Sequence, residues 1–346
     1  MLTIDCYKKC VTCRLYGREC SGCSFCDAPL VCTGDCRLCP YMCINRPHAA
    51  RYYLSVKDEN GGDALIRHAQ AEIPTLPAYI PTLPSRMHAE YNAADLPYVA
   101  AHGGKFMSAD GKRIAPRYLS DGVHKALGLD PKTKTVLHFY VPDRTLEGFW
   151  QNRHQIYPVL KEMGFSFIIA PNFSVYEDSP RLEHLFNIKR SAIVCSELLE
   201  HGINAVPDIS WYEIKDLDRW AESINRSGVK LVSFSFQCVG GKRSSSAWRG
   251  YCAGLRYLCE SMGEDVSVIV VGIAAVSRLK EVISIAGNRD IVLVNTYAFM
   301  TAKGGRDTRR QKHEDLSLDE LFVLNARQLE QKYSRLFCEA KKEGGM

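Results

Sequence analysis

The feature that most constrains this chain is a series of six apolar runs, spaced at roughly 30 residues, the repeat of a strand–helix–strand unit. They are Thr135 to Val141, Phe165 to Ala170, Asn204 to Val206, Lys230 to Phe236, Val266 to Val271 and Ile291 to Tyr297. Their unbroken Val, Ile, Leu and Phe content suits strands covered on both faces, as in a parallel sheet. The segments between them carry helix ends. Ser179-Pro180 supplies an N-cap and a first-turn proline, Gly202 closes that helix, and Ser317-Leu-Asp-Glu320 is a capping box for a last helix running toward Ala340. The expected class is α/β, a right-handed parallel (βα) barrel or partial barrel. A closed barrel needs eight strands, so a short strand at Tyr98 to Ala101, ended by Gly103-Gly104, and one further strand would have to contribute. A six-stranded open form fits the pattern equally.

Upstream the pattern breaks. Residues 47–134 contain the near-repeat Ile73-Pro-Thr-Leu-Pro77 and Ile80-Pro-Thr-Leu-Pro84, and prolines at that density argue against long helices and central strands. This stretch is expected to wrap irregularly over another surface. The division is therefore 1–46, 47–134 and the barrel-like 135–346.

Ten of the fifteen cysteines lie in the first segment: Cys6, Cys10, Cys13, Cys20, Cys23, Cys26, Cys32, Cys36, Cys39 and Cys43. Gaps of two and three residues let several thiolates from one turn converge on one centre, and the absence of an export signal argues against disulfides. The segment is expected to be a cysteine-rich metal-binding module. Pairs such as Cys10/Cys13, Cys20/Cys23 and Cys36/Cys39 suit zinc, whereas Cys20-x2-Cys23-x2-Cys26 is similar to the start of a bacterial ferredoxin run. Iron–sulfur and zinc both remain open. Cys6-x3-Cys10-x2-Cys13 also resembles the radical S-adenosylmethionine motif, although that motif follows the first barrel strand and here no strand precedes it.

With 46% hydrophobic and 24% charged residues and no apolar run of membrane-spanning length, the chain reads as cytoplasmic, with no membrane partner. The net charge of +5 is modest, but its placement is uneven. Residues 301–313 hold five Lys or Arg against one Asp, and residues 239–250 hold three basic residues and no acid. Such loops are often plain solvated surface; on one face they could also hold the phosphates of DNA or RNA.

Strand ends carry a further phrase: Ile169-Ala-Pro-Asn172-Phe-Ser174-Val-Tyr176, then Asp178-Ser-Pro180, Arg190, Ala205-Val-Pro-Asp208 and Trp211. This succession resembles the domain of unknown function 4417 family, over about 138–299. The resemblance implies a phage or mobile-element setting and no particular reaction. Val292-Leu-Val-Asn295-Thr-Tyr297 is similar to a strand-end phrase of tRNA-guanine transglycosylases, zinc-bearing barrels with relatives that act on phage DNA, and is a hint of class only.

Ligands of parallel α/β folds bind at the carboxyl ends of the strands. The polar residues there are Asp143 and Arg144, Asn172 and Ser174, Asp208 and Ser210, Ser235 and Gln237, and Asn295. Asp143, Asn172, Asp208 and Asn295 are the catalytic candidates. Asp143 and Asp208 are the preferred pair, because each follows a rigid proline. The same residue types also serve as ordinary caps and turn formers. Gly240, Gly241, Lys242 and Arg243 form a basic glycine-rich turn before a helix near Ala247, able to hold a phosphate but lacking the nucleotide-hydrolase spacing. Trp248 and Tyr251 read as core, and His102, His138 and His154 as structural residues. Three functions follow: an enzyme acting on nucleic acid, with base or nucleotide modification as the finer reading; a non-catalytic adaptor binding nucleic acid or protein; and a radical enzyme.

Overall fold

The computed structural model describes residues 96–176, 181–239 and 245–344, together with 55–57, 66, 70, 75–84, 86 and 87. The cysteine module, the Ser179-Pro180 cap and the Gly240 to Arg243 turn lie outside the described residues.

Eight parallel strands follow one another around a ring: β1 Tyr79–Leu83, β2 Tyr98–His102, β3 Lys134–His138, β4 Phe167–Ile169, β5 Ala205–Val206, β6 Leu231–Ser235, β7 Ser267–Val271 and β8 Ile291–Asn295. β8 pairs with β1, and a bridge between Asp208 and Ser233, with Ile209 N–H on Ser233 O at 2.8 Å, ties the end of β5 to β6. The sheet is thus a nearly closed barrel. All six apolar runs and the Tyr98 strand are present.

The eighth strand corrects the reading of the proline-rich segment. Tyr79–Leu83 lies between β2 and β8, not over another surface. Successive residues of a parallel strand turn their N–H groups to opposite neighbours. Ile80 and Thr82 serve the β8 side, where Leu293 N–H meets Ala78 O at 2.9 Å. On the β2 side pairing begins only at Thr82, so Pro81 falls where no ladder donor is required. The backbone N–H groups of Ala78 and Tyr79 go instead to the Glu330 carboxylate, at 3.2 and 2.7 Å.

Around the ring run α1 Gly103–Phe106, α2 Pro116–Leu127, α3 Asp143–Glu162, α4 Arg181–Glu200, α5 Ile214–Ser227, α6 Ser246–Ser261, α7 Val276–Ala286, α8 Tyr297–Lys303 and α9 Leu318–Gly344. Their ends follow local chemistry. After α4, Gly202 is left-handed and Ile203 N–H reaches Leu198 O at 2.9 Å. Ser245 caps α6 through Trp248 N–H, and Ser317 and Glu320 form the expected capping box of α9. Among the described residues no helix is long and apolar enough to cross a membrane.

Two apolar layers fill the molecule. One lies between the strands and the helices, and Trp248, almost fully buried, belongs to it as the sequence suggests. The other fills the barrel with Ile80, Ala100, Val136, Val206, Leu231 and Val294, among others. Strand side chains alternate with period two, so the residues two positions on also face inward. Those residues are Thr82, His102, His138, Asp208 and Ser233. The interior is therefore apolar low in the barrel and polar at its carboxyl mouth.

Candidate functional site

Asp208 is the most deeply placed acid at that mouth, 2% exposed at the end of β5. Asn172, in the loop after β4, donates its amide Nδ2–H to Asp208 Oδ2 at 3.0 Å, and Oδ1 has no hydrogen-bond partner. The hydroxyls of Tyr140 and Ser233 lie beside it and bond each other at 3.0 Å. Burial pushes the carboxyl up to about 6, with Asn172, Ser233 and Tyr140 holding back part of the rise. The Tyr140 phenol is pushed well above its ordinary value, first by burial and then by the Asp208 charge.

Asp143, first residue of α3, has a different role. It accepts the Ser174 hydroxyl at 2.6 Å on one oxygen and the Tyr176 hydroxyl on the other. Both oxygens are engaged, so this carboxylate latches the loop after β4 to the start of α3. The two favoured aspartates do share one end of the barrel. Cys238, just past β6, feels both: burial first, then the charges of Asp143 and Asp208, hold its thiol above its usual value and so keep it a poor nucleophile.

The phrase from Ile169 to Arg190 builds this loop. The Arg190 guanidinium stacks on Phe173 at 4.1 Å and on Phe186 at 4.3 Å, and bonds Glu147 and Asn187. Asn187 in turn donates to Ser174 O at 2.6 Å, and Ser191 Oγ accepts Phe173 N–H at 3.0 Å. Asn172 and Ser174 are presented from a braced backbone.

On the other side of the mouth is a cavity of about 240 Å³ lined by Thr82, His102, His138, Gln237, Asn295 and Tyr297, with an apolar wall from Val271, Ile273 and Val294. Asp143, Asn172 and Asp208 are not among its lining residues. His138 and Tyr140 connect the two regions, their rings 5.2 Å apart. His102 and His138, 36 residues apart in sequence, face each other with ring centroids at 5.1 Å. Sequence reasoning treats them as separate structural residues; the register pairs them directly at the ends of β2 and β3. Both strand sequences end in His after alternating inward positions, and that shared phase is the signal that could have joined them. His154 is elsewhere, on α3 beside Tyr157 and Glu197.

Burial drives the His138 imidazole down to about 3, helped by His102, and burial followed by Lys105 lowers His102. Both rings are neutral near pH 7. His102 Nδ1 accepts Gly104 N–H at 3.0 Å, so its proton sits on Nε2. His138 Nε2 meets Thr82 Oγ1 at 3.3 Å, while Nδ1 is buried without a partner. Asn295 is largely committed: Oδ1 accepts the Tyr79 hydroxyl at 3.0 Å and Tyr297 N–H at 2.9 Å, and Nδ2 donates to Ile273 O at 2.7 Å. Among the described residues no cluster of three or more His, Cys, Asp or Glu side chains could hold a metal ion.

The basic segment 301–313 leaves the end of α8, the helix whose Tyr297 and Met300 line the cavity. It is a built loop. Buried Asp307 accepts Arg309 and Gln311 N–H at 2.9 and 2.8 Å, Arg306 and Lys312 bridge, and Asn325 donates to Arg306 O at 3.0 Å. Lys303, Arg306, Arg309, Arg310 and Lys312 are all exposed.

Residues 123–285 match the model of the family described as Domain of unknown function (DUF4417), which bears out the resemblance carried by the loop after β4. Over 97 residues the chain is 28% identical to the Gene 1 protein of Mycobacterium phage D29, covering 28% of this chain and 35% of that protein. Over 102 residues it is 24% identical to the Gene 1 protein of Mycobacterium phage L5, covering 30% of this chain and 44% of that protein. The chain spans less than half the length of the curated relatives it matches.

Proposed function

We propose that this phage-type barrel protein is an enzyme that carries out proton-transfer chemistry on a base or nucleotide of a nucleic acid, with Asp208 as the group that gives or takes the proton. The observation that carries the reading is the Asp208 carboxyl itself. It is buried at a strand end, held on one oxygen by a neutral amide, while the other oxygen is equally buried and has no hydrogen-bond partner. A general acid or base works best with a pKa near the working pH, and about 6 meets that need where an ordinary aspartate does not. Asn172 acts as a positioning residue, and Asp143 fixes the loop that carries it. A pocket lined by Asp143, Asn172 and Asp208 would favour the enzyme, and apolar side chains blocking the strand ends the adaptor; the mouth is polar, but none of those three residues lines its cavity.

Nucleic acid as substrate rests on the exposed cations of 301–313, next to the cavity along α8. Such a strip would bind backbone phosphates while one unit enters the mouth, as in enzymes that take a base out of its stack. The cysteines from Cys6 to Cys43 supply a metal centre, iron–sulfur or zinc, in the same reading. Radical chemistry would require Cys6, Cys10 and Cys13 at the mouth.

The test uses the full chain with mixed-sequence DNA and RNA at low salt, followed by mass analysis of the nucleosides. Wild type and Asp208→Asn should bind alike, and only wild type should change a nucleoside mass. No binding of either nucleic acid by wild type would refute the proposal.

A further inference from the structure

The cavity beside His138 has a chemistry of its own. Among the described residues that line it none is a Lys, Arg, Asp or Glu, yet Thr82, His138, Gln237, Asn295 and Tyr297 supply hydrogen-bonding groups. Its other walls are the apolar Val271, Ile273 and Val294.

Gln237 owes its place to a missing side chain. Gly272, just past β7, has φ +85, and a Cβ there would lie 2.8 Å from Gln237 Cγ and 2.9 Å from its backbone nitrogen. Any other residue at 272 would displace the glutamine from the cavity wall. His138, also in the lining, is 3% exposed, and its Nδ1 is buried without a partner.

We propose that this cavity receives one uncharged heterocyclic base, read along its edge by the Gln237 amide, and that it excludes phosphate. The proposal rests on the nucleic-acid reading above and concerns recognition alone, since Asp208 does not line this cavity: the base read here is a neighbour of the unit on which Asp208 acts. A primary amide offers a donor and an acceptor side by side, the pattern that matches the adjacent donor and acceptor of a base edge. A phosphate placed there would meet no Lys or Arg among the described lining residues, an arrangement of high desolvation cost. Tyr297 and Met300, one turn apart on α8 and 36% and 55% exposed, offer a flat and a pliable surface at the rim for the ring face.

The experiment titrates the full chain with adenosine, guanosine, cytidine, uridine and thymidine, and separately with ribose 5-phosphate and inorganic phosphate, at millimolar concentration by ligand-observed NMR. At least one nucleoside should bind and neither phosphate compound should. Gln237→Ala, an exposed position that should leave the melting temperature unchanged, should weaken that nucleoside roughly tenfold or more. Gly272→Ala should weaken it as well, by moving Gln237. Ribose 5-phosphate or phosphate binding as well as the nucleosides, or unchanged nucleoside binding by Gln237→Ala, overturns the proposal. If oligonucleotides bind while no nucleoside does, the cavity assignment fails and the Asp208 reading stands. If neither binds, both fail.

Discussion

The Asn172 side-chain amide donates a hydrogen bond of 3.0 Å to Asp208, and among the described residues no cation offsets the burial of the carboxyl. That relationship sets the acid at about 6 instead of the 3.8 of a free aspartate. Replacing Asn172 with Ala removes the largest group holding the carboxyl down, so its pKa should rise further. A carboxyl titration by NMR in the variant checks this.

His138 and Asp208 should give the protein opposing pH slopes. Asp208 binds its proton more tightly when folded, so its contribution to stability falls as pH rises from about 4 to 6. His138 is held near 3 against 6.5 when free, so the unfolded chain takes up the extra proton and stability falls as pH drops below about 6.5. Between pH ~4 and ~6 the two nearly cancel. Asp208→Asn should be more stable than wild type by about 3 kcal/mol above pH 6 and near equal to it below pH ~4. His138→Gln should show the reverse, a stability that falls relative to wild type as pH rises through that window. Urea unfolding at pH 4.5, 5.5 and 7.5 separates the slopes.

Gly148 lies inside α3, where Gly→Ala ordinarily stabilises a helix by about 1 kcal/mol. Here an added Cβ would overlap the carbonyl oxygen of Asp110. Gly148→Ala should therefore destabilise, by roughly 1–3 kcal/mol in chemical denaturation.

Arg181 and Asp216 form a buried pair between the starts of α4 and α5. Burial opposes the Asp216 charge, but Arg181 and the N–H groups of Glu213 and Tyr212 outweigh it and hold the carboxyl below its ordinary value. Asp216→Ala should cost about 3 kcal/mol, because it removes the closer carboxylate from a buried guanidinium and leaves it the longer Glu213 contact of 3.7 Å. The thermal midpoint should fall accordingly.

Most of the barrel can be read in the sequence because strands covered on both faces leave unbroken apolar runs. β1 cannot, since Pro81 mimics a break and its harmlessness depends on which neighbour each N–H faces. Asn172 and Asp208 are legible as strand-end residues, but their contact joins positions brought together only by β4 and β5 pairing. Ser233 and Tyr140 are missed because they look like ordinary strand residues; their inward phase, two positions beyond Leu231 and four beyond Val136, marks them. Asp143 is legible as polar, while its engagement by Ser174 and Tyr176 depends on a loop braced by Arg190.

The metal expectation for Cys6 to Cys43 has a direct check. A segment of about 45 residues with few large apolar side chains needs metal to supply its folding free energy. Protein purified without oxygen should contain iron with inorganic sulfide and be brown, or contain zinc and be colourless. Stripping the metal should unfold this segment while leaving the barrel's thermal transition nearly unchanged. Metal-free protein that keeps the segment ordered would contradict the expectation.

The central claim is that Asp208 is a proton-transfer group poised near neutrality. The direct measurement is a ¹³C NMR titration of the Asp208 side-chain carboxyl in the full chain, assigned by its loss in Asp208→Asn. The account expects a midpoint near 6. A midpoint at the ordinary 3.8 would contradict it.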